Sequence, residues 1–190
     1  MTGVAVVGGG QGAPGRVGAE QAGAGQAGAR PPGNPLRRAF GQYATGVTVV
    51  TARGADGRRV AMTANSFTSV SLDPPLVLWC PGANAPSLPH FRSATHFAVH
   101  VLAADQHQLS SRFATPAEDK FADTPTTEGI AGTPLLEGVV ARFQCRTVQF
   151  VDAGDHVVMI GEVEHYEAPG GEPLVFHSGR YHLATKHPDV

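Results

Sequence analysis

Residues 62–75 read MTANSFTSVSLDPP, and the interpretation of the whole chain depends on this stretch. It lies between two apolar runs, residues 47–50 and 76–79, that are typical of β-strands. A strand with a purely structural role fills its inner face with Val, Ile or Leu. Small side chains with hydroxyl or amide groups instead leave space and hydrogen-bonding atoms for a flat polar ligand. We therefore interpret residues 62–71 as a ligand-binding strand.

The composition excludes several classes of protein. The 190 residues are enough for one sizeable core. A net charge of −2, with charged residues at 16%, does not provide the basic surface that nucleic acids need. No apolar run is long enough for a membrane span, and the nine histidines are too scattered to predict a metal site. Cys80 and Cys145 are too few for a disulfide framework and indicate the buried thiols of a cytoplasmic protein.

The first 33 residues differ from the rest, because they contain eleven of the 24 glycines. Such a segment cannot bury enough surface to offset its ordering entropy. We predict a disordered tail over residues 1–33 and one domain over residues 34–190. Residues 10–15 match the G-x-G-x-x-G dinucleotide pattern, but Pro14 falls where a helix must begin. No acidic residue occurs between Glu20 and Asp56, so we reject this motif.

The remaining pattern predicts a β-rich domain. Asn34 before Pro35 is a helix start, and an apolar stripe at positions 36, 39, 40 and 43 follows. Asp105 and Gln108 form a capping box for a second helix that packs through Leu109 and Phe113. We expect a loop over residues 114–138 and a turn over 151–155. We expect short strands at residues 47–53, 58–62, 66–72, 76–80, 95–102, 141–146, 156–164, 174–177 and 181–183. Strands and helices do not alternate along the chain, so this pattern predicts a mostly antiparallel barrel with peripheral helices.

The ordered motifs resemble one known family. They are GVTVVT at 46–51, TANSFTSVSLDPPLVL at 63–78, FAVHVL at 97–102, GDH at 154–156, GEV at 161–163, PLVFH at 173–177 and GRY at 179–181. Together they resemble the flavin reductase family over residues 35–183. The resemblance implies a mostly β fold, the FMN-binding split β-barrel with peripheral helices.

The resemblance also implies a function. Members of this family use NADH or NADPH to reduce FAD or FMN by hydride transfer, which is an EC 1.5.1-type reaction. They pass the reduced flavin to a separate monooxygenase and are typically homodimers with the flavin near the subunit interface. The Gly/Ala-rich tail and the presence of only two lysines favour a high-GC genome and an actinobacterial secondary-metabolite pathway.

The same resemblance implies roles for individual residues. The flavin ring would lie along Met62, Thr63, Ala64, Asn65 and Ser66. Further flavin-binding positions are Thr45, Ser69, Cys80, Asn84, Ser87, Ser110, Arg112 and Phe113, of which Ser110, Arg112 and Phe113 would hold the phosphate–ribose end. His156 would be the catalytic contact that positions the nicotinamide, without acting as a general base, and Tyr181 would pack against it.

Other interpretations stay open. Residues 62–66 could be a polar strand that faces water, His156 a structural turn residue and Tyr181 a core aromatic. Arg112 could lie on a solvated helix face, and His100 stands where the family commonly has Asn. The chain could also be a flavin-retaining oxidase of the same fold class or a non-enzymatic flavin-binding protein.

Overall fold

The computed structural model describes residues 34–189, so the predictions made for residues 1–33 lie outside the described part. Its helices are α1 Pro35–Phe40, α2 Leu88–Ser93 and α3 His107–Ala114, with a 3₁₀ turn at Ile130–Gly132. Its strands are β1 Thr45–Gly46, β2 Thr48–Arg53, β3 Arg59–Ala64, β4 Thr68–Leu72, β5 Pro75–Trp79, β6 His96–Val101, β7 Thr126–Glu128, β8 Pro134–Leu136, β9 Ala141–Ala153, β10 His156–Glu167, β11 Leu174–His177 and β12 Arg180–Leu183.

The strands form antiparallel sheets, which confirms the mostly β prediction. The largest sheet has seven strands in the order β3-β2-β6-β9-β10-β5-β4. A three-stranded sheet has the order β1-β11-β12, and β7 pairs with β8. Within residues 34–189 the large sheet ends at the edge strands β3 and β4, so closure into a barrel stays a prediction.

Strand β2 lies between two hydrophobic clusters. Val50 packs with Trp79 and Phe97 in one cluster, whereas Val49 packs with Phe113 in the other. Residues 47–52 are consequently all buried, although the alternation of apolar and polar residues over 47–53 is typical of a half-buried strand and predicts one buried face. That prediction is wrong. Threonines are tolerated inside this strand because Thr51 Oγ1 donates to the Pro134 carbonyl at 2.6 Å.

Strand β5 is less buried than its sequence suggests. A continuous apolar run such as residues 76–80 predicts burial on both faces, which is wrong here: only Val77 and Trp79 are buried, while Leu76 and Leu78 remain partly accessible. The burial alternates because β5 pairs with the edge strand β4 and packs on the core through one face.

The two predicted helix starts have different outcomes. Asn34 Oδ1 accepts a hydrogen bond from the Leu36 amide at 2.9 Å, which confirms the first cap. The capping box of Asp105 and Gln108 is wrong, because α3 begins at His107 after Gln106. The side chain of Gln106 accepts from the Ala103 amide at 3.0 Å instead of capping α3. The predicted packing of this helix through Phe113 is confirmed.

The β9–β10 hairpin is longer than predicted. The turn predicted over residues 151–155 shrinks to Gly154 and Asp155, because Val151 and Ala153 pair with Val158 and His156. The segment predicted as a loop, residues 114–138, contains the short β7–β8 pair. Tertiary pairing therefore extends β9 to Ala153, although most side chains beyond Thr147 are exposed and only Phe150 packs against the core.

The apolar stripe of the first helix does not face the core. The side chains of Leu36, Phe40 and Tyr43 are 57%, 69% and 79% exposed. An amphipathic segment normally buries this face, so these residues form an uncovered apolar surface, which we call the α1 face.

Histidine 100 is buried in β6 and holds neighbouring segments together. Its Nδ1 lies 3.0 Å from the Val49 carbonyl, to which it donates, and its Nε2 accepts from the Leu136 amide at 3.1 Å. These partners fix a neutral imidazole, since a protonated ring could not accept from Leu136. Desolvation lowers the pKa of His100 from 6.5 to about 4, and the nearby charge of Arg142 acts in the same direction.

This burial predicts a pH-dependent stability. The unfolded chain binds a proton at His100 near pH 6.5, whereas the folded protein resists protonation down to about pH 4. Its stability is therefore intact above pH 6.5 and falls by about 3 kcal/mol as the pH drops toward 4. Urea unfolding at about pH 7.0, above the unfolded pKa of 6.5, and at about pH 4.5, between the two pKa values, measures the loss. His100→Asn should show a smaller pH-dependent loss, whereas the exposed-site control His182→Asn should keep the full loss. Equal losses in both variants would contradict this assignment.

Candidate functional site

Two cavities border β3 and the residues that follow it. The first, here the lysine cavity, has a volume of about 470 Å³ and is lined by residues 58–63, 85–87, 90, 113, 114 and 116–120. The second, here the histidine cleft, measures about 1410 Å³ and is lined by residues 37–46, 65–68, 156, 176, 178 and 179. Ala64 lies between these two linings, so the predicted binding strand borders both spaces.

The predicted site residues divide between these spaces. Met62, Thr63, Ser87 and Phe113 line the lysine cavity. Thr45, Asn65, Ser66 and His156 line the histidine cleft. The other predicted positions line neither space: Ala64, Ser69, Cys80, Asn84, Ser110, Arg112 and Tyr181. The structure thus brings together residues separated by more than a hundred positions in the sequence, while the binding roles themselves stay predictions.

Hydrogen bonds from side chains fix the end of β3. Thr48 Oγ1 donates to the Ala64 carbonyl at 2.7 Å, and Thr63 Oγ1 donates to the Ser110 carbonyl at 2.6 Å. The Ser110 hydroxyl in turn lies 2.9 Å from the Tyr181 hydroxyl. The predicted residues Thr63, Ser110 and Tyr181 are therefore linked to each other, and this link anchors the strand from which Asn65 and Ser66 continue.

Ser66 joins the binding strand to the loop that follows β5. Its Oγ accepts from the Cys80 amide at 2.9 Å and lies 3.3 Å from the Cys80 carbonyl. Burial raises the pKa of the Cys80 thiol, so the thiol stays protonated and has little nucleophilic character. The contribution of Cys80 to this site is therefore its backbone.

The turn that carries His156 packs against the same loop. The Ala83 amide donates to the Asp155 carbonyl, and the Val157 amide donates to the Pro81 carbonyl, both at 2.9 Å. The side chain of His156 is 51% exposed, and its Nδ1 lies 2.8 Å from Asp155 Oδ1. This hydrogen bond lowers the pKa of Asp155 and orients the ring of His156. Nε2 of His156 has no partner within residues 34–189 and can receive a ligand group.

Unpaired polar atoms mark the histidine cleft as a place for a polar ligand. Thr45 Oγ1 is buried and has no hydrogen-bond partner among the described residues. The backbone amides of Asn65 and Ser66 donate to no group in that same part of the chain. A buried hydroxyl such as that of Thr45 is normally satisfied in folded proteins, whereas the amides of the exposed Asn65 and the partly buried Ser66 are accessible to a ligand. They suit the carbonyl oxygens and ring nitrogens at the edge of a heteroaromatic ring.

Arg112 has a structural role in this structure. Its Nε donates to the Lys120 carbonyl at 3.1 Å, its Nη2 donates to the Ala122 carbonyl, and Asp123 lies 4.0 Å away. The guanidinium thus holds the loop after α3, and Arg112 lines neither space.

Lys120 is the functional candidate that the sequence analysis missed. Its Nζ donates to the carbonyls of Phe113 at 2.8 Å and Ala61 at 3.2 Å, and the side chain lines the lysine cavity. The segment predicted as a featureless loop positions this side chain. The sequence does single out Lys120 in one respect, because the chain contains only one other lysine, Lys186.

The structure provides no protein metal site or membrane helix in the part it describes. Within residues 34–189, no three His, Cys, Asp or Glu side chains cluster closely enough to hold a metal ion. None of the helices in that range combines the length and apolar character needed to cross a bilayer.

Comparison with known proteins identifies the chain's relatives. Residues 40–185 match the family model described as the flavin reductase like domain. An FMN reductase (NADH) of Agrobacterium fabrum is 48% identical over 146 residues, which cover 77% of this chain and 83% of the relative. The solved structure of a Streptomyces globisporus NADH:FAD oxidoreductase in complex with NAD and FAD fragments aligns with a TM-score of 0.74 at 41% identity, covering 81% of this chain and 92% of the other.

Some relatives are longer than this chain. The reductase component of a flavin-dependent trigonelline monooxygenase from Acinetobacter baylyi is 44% identical over 151 residues, and the match covers 80% of this chain. The match covers only 49% of that relative, so the chain spans about half its length. The shared part corresponds to the domain that carries both cavities.

Proposed function

The chain belongs to the flavin reductase like family, and from this premise we propose that it is an NAD(P)H-dependent flavin reductase. It would transfer a hydride from the nicotinamide to FAD or FMN and supply the reduced flavin to a separate monooxygenase. Named relatives support each part of this proposal, since they include NADH-dependent reductases of FMN and FAD and reductase components of monooxygenases. The runner-up functions are a flavin-retaining oxidase and a non-enzymatic flavin carrier.

One observation carries the proposal. The histidine cleft measures about 1410 Å³ and combines the donor groups of residues 45, 65 and 66 with His156 and with the cations Arg37 and Arg38. A reductase must hold a flavin and a nicotinamide together, whereas a carrier needs a single binding site. A cleft that has groups suited to both ligands therefore favours the reductase over the carrier.

The residues present fit a flavin at this position. The backbone amides of Asn65 and Ser66 and the hydroxyl of Thr45 would donate to the polar edge of the ring. The flavin, when bound, supplies the ring that accepts the hydride. Donors at the edge of the ring stabilise it more strongly as it gains negative charge, which is where preorganised amides are most effective.

The histidine cleft also fits a nicotinamide dinucleotide. Arg37 and Arg38 line it, and no carboxylate occurs among its lining residues within the described part of the chain. These cations would hold the dinucleotide's phosphates, and His156 would orient the nicotinamide ring. Hydride transfer between rings held about 3–3.5 Å apart would need no protein acid, so His156 would orient the nicotinamide without moving a proton.

The finer features belong to the same proposal. We infer a split β-barrel, an EC 1.5.1-type activity, a homodimer and a cytoplasmic location. The uncovered α1 face supports the homodimer, because Phe40 and Tyr43 line the histidine cleft and a second copy would bury them. The flavin would then lie near the subunit boundary.

An anaerobic absorbance assay tests the function. The protein is mixed with NADH or NADPH and with free FAD or FMN, and the loss of flavin absorbance at about 450 nm is followed. Multiple turnovers with at least one pair are expected, and mixtures without protein provide the control. No turnover with any pair would contradict the reductase, and a purified protein that keeps a bound yellow flavin through gel filtration would favour the alternatives.

A further inference from the structure

We propose that the free edge of β12 is a docking site for an extended segment of the partner monooxygenase in which apolar and acidic residues alternate. The proposal rests on the proposed function, because it takes a separate oxygenase as the acceptor of the reduced flavin. It adds the surface of this chain that receives the partner and the chemistry of the partner's segment. The surface consists of the backbone and side chains of residues 180–183, and we call it the β12 edge.

The β12 edge lies at the end of a sheet. In the order β1-β11-β12, β12 pairs with β11 through one side only. All four of its residues are exposed. Among residues 34–189 no strand pairs with its other side. Such an edge presents a row of backbone groups that can pair with a further strand, which is a recurring mode of peptide recognition.

The geometry of the β11–β12 hairpin identifies the backbone groups that point outward. The turn at residues 178–179 has φ angles of 49° and 78°, which are typical of a two-residue hairpin turn. In such a hairpin the flanking residues, His177 and Arg180, form a hydrogen-bonded pair. Hydrogen-bonded and non-bonded pairs alternate along an antiparallel ladder, so the amides and carbonyls of Tyr181 and Leu183 point away from β11.

The backbone bonds of Leu174 support this assignment independently. Leu183 lies opposite Leu174 in the ladder. The Leu174 amide donates to the Leu102 carbonyl at 2.9 Å, and its carbonyl accepts from the Val47 amide at 3.2 Å. Both groups of Leu174 therefore point away from β12, and the amide and carbonyl of Leu183 have no partner on β11. They are available to a strand that approaches from the other side.

One face of the β12 edge carries cations. Arg180 and His182 project from the same face, because successive side chains of a strand alternate, and the ring of His182 lies 5.7 Å from that of His177. Among residues 34–189, none of these three side chains has a carboxylate oxygen within 4.0 Å, whereas His156 and His165 do. An acidic side chain of a partner would supply the missing counter-charge.

The surrounding sequence strengthens this local charge. Residues 173–188 contain no Asp or Glu, although the whole chain carries a net charge of −2. Lys186 adds a further cation shortly after β12. Acidic residues placed opposite Arg180 and His182 would form the cross-strand pairs of opposite charge that stabilise a sheet. Complementary charge would also guide the partner to this edge.

The other face of the β12 edge is apolar. Leu183 is 63% exposed and Tyr181 is 39% exposed. The ring of Tyr181 packs on Phe176 with centroids 5.7 Å apart, and its hydroxyl lies 2.9 Å from that of Ser110, so its position is fixed. Every second residue of an added strand would cover Tyr181 and Leu183, which suits Val or Leu. The two faces together specify a segment that alternates apolar and acidic residues.

The same cations argue against a second copy of this strand as the occupant. Two β12 strands paired edge to edge would bring Arg180 of one copy close to the cations of the other. Like charges next to each other destabilise a sheet, and charged side chains on a short edge strand are a common protection against self-pairing. The charge that excludes a second copy attracts an acidic segment.

The β12 edge begins beside the histidine cleft. Phe176, Ser178 and Gly179 line the cleft, and Arg180 follows directly. A segment paired with β12 would therefore hold the oxygenase next to the space in which the reduced flavin forms. Pairing along four residues gives a small contact, which suits a transient complex. Even a weak attachment raises the local concentration of the acceptor.

Titration with synthetic peptides tests the proposal without any turnover. The probe is the acetylated and amidated peptide EVEVEVE, and the controls are SVSVSVS and KVKVKVK. In calorimetry with the full chain, we expect the acidic peptide to bind with a Kd of about 0.1 mM and the neutral peptide about tenfold more weakly. The basic peptide should not bind. The affinity of the acidic peptide should fall in about 0.5 M salt, because the charges are exposed.

Hydrogen exchange locates the peptide on the chain. At a peptide concentration of about ten times Kd, exchange at the amides of Tyr181 and Leu183 should slow about tenfold, because these amides point outward and would donate to the added strand. The amides of Arg180 and His182 already donate to β11 and should change by less than about twofold. Equal slowing at all four amides would contradict the pairing.

Two variants at residue 183 separate backbone pairing from side-chain contact. Leu183→Pro removes the outward N–H without removing a bond to β11, so it should weaken the acidic peptide at least about tenfold. Leu183→Ala keeps the N–H and should weaken it less than about threefold. Both variants should keep the Tm and the rate of flavin reduction of the unmodified protein. Arg180→Glu should prevent binding of the acidic peptide and allow binding of the basic one.

The outcomes distinguish this proposal from the reductase function. Absence of binding at about 2 mM acidic peptide, equal affinities for the three peptides, or equal losses in the two Leu183 variants would overturn it. A lower sedimentation mass of Leu183→Pro would assign the edge to contact between copies and would also overturn it. If the acidic peptide binds as expected but no flavin is reduced, the docking site stands and the reductase function fails. If flavin is reduced but the peptide does not bind, the function stands and the docking site fails.

Discussion

Replacement of His156 by alanine is expected to lower kcat/KM for the nicotinamide about 100-fold while the dissociation constant for flavin stays within about twofold. The ring of His156 lines the histidine cleft and is oriented by Asp155 at 2.8 Å. Without it, the nicotinamide is held less closely over the flavin, and a misplacement of about 1 Å is enough for a loss of this size. Anaerobic stopped-flow measurement of the hydride-transfer rate against nicotinamide concentration separates the effects on kcat and KM.

His165 provides a matched control on the same strand. It is also exposed and also contacts an acidic side chain, since its Nε2 lies 3.3 Å from Glu167, but it lines neither cavity. His165→Ala should therefore keep the wild-type rate. If both variants lose the same activity, or if His156→Ala loses flavin affinity to the same extent, the positioning role of His156 is wrong.

Replacement of Gly161 by valine is expected to destabilise the fold by about 4 kcal/mol, beyond the usual cost of overpacking. An added Cβ would lie 2.4 Å from Phe97 Cζ and 3.0 Å from Cys145 Cβ. Phe97 belongs to the core cluster with Trp79 and cannot turn aside without opening that cluster. Thermal unfolding should show a drop of roughly 8–16 °C in Tm.

Gly46→Val provides the comparison for that variant. Gly46 also lies in a strand, and an added Cβ there would have no neighbour within 4 Å. Its Tm should stay close to that of the unmodified protein. A similar loss in both variants would mean that the cost comes from the glycine backbone and not from contact with Phe97.

The sequence predicts the parts of this fold whose signals are local. The Asn34 cap depends on a side chain and an amide two positions apart, and the strands around residues 48–53 and 96–101 follow from β-branched and apolar runs. Sequence-based prediction fails where contacts between distant segments determine the local structure. The side chain of Gln106 accepts a hydrogen bond from the Ala103 amide and does not cap α3. The ends of β9 and β10 extend beyond their predicted bounds because the two strands pair with each other.

The candidate site also combines residues that the sequence predicts with residues whose position depends on the fold. Asn65, Ser66 and His156 were predicted from sequence motifs and line one cleft. Arg112 was predicted from its chemistry, and its binding role stays a prediction; in the structure it donates to the carbonyls of the loop after α3, while Lys120 lines the cavity. No local pattern reports which of two cations faces a cavity, because that choice depends on the path of residues 114–123.

The hydrogen bonds that connect residues 66, 80, 83 and 155 have a thermodynamic consequence. Ser66 holds Cys80, and the loop that starts there holds the turn before His156 through Ala83. A ligand that orders one of these segments reduces the conformational entropy that the next ligand must remove. Flavin and nicotinamide should therefore raise each other's affinity by the same factor, because linkage between two binding equilibria is reciprocal.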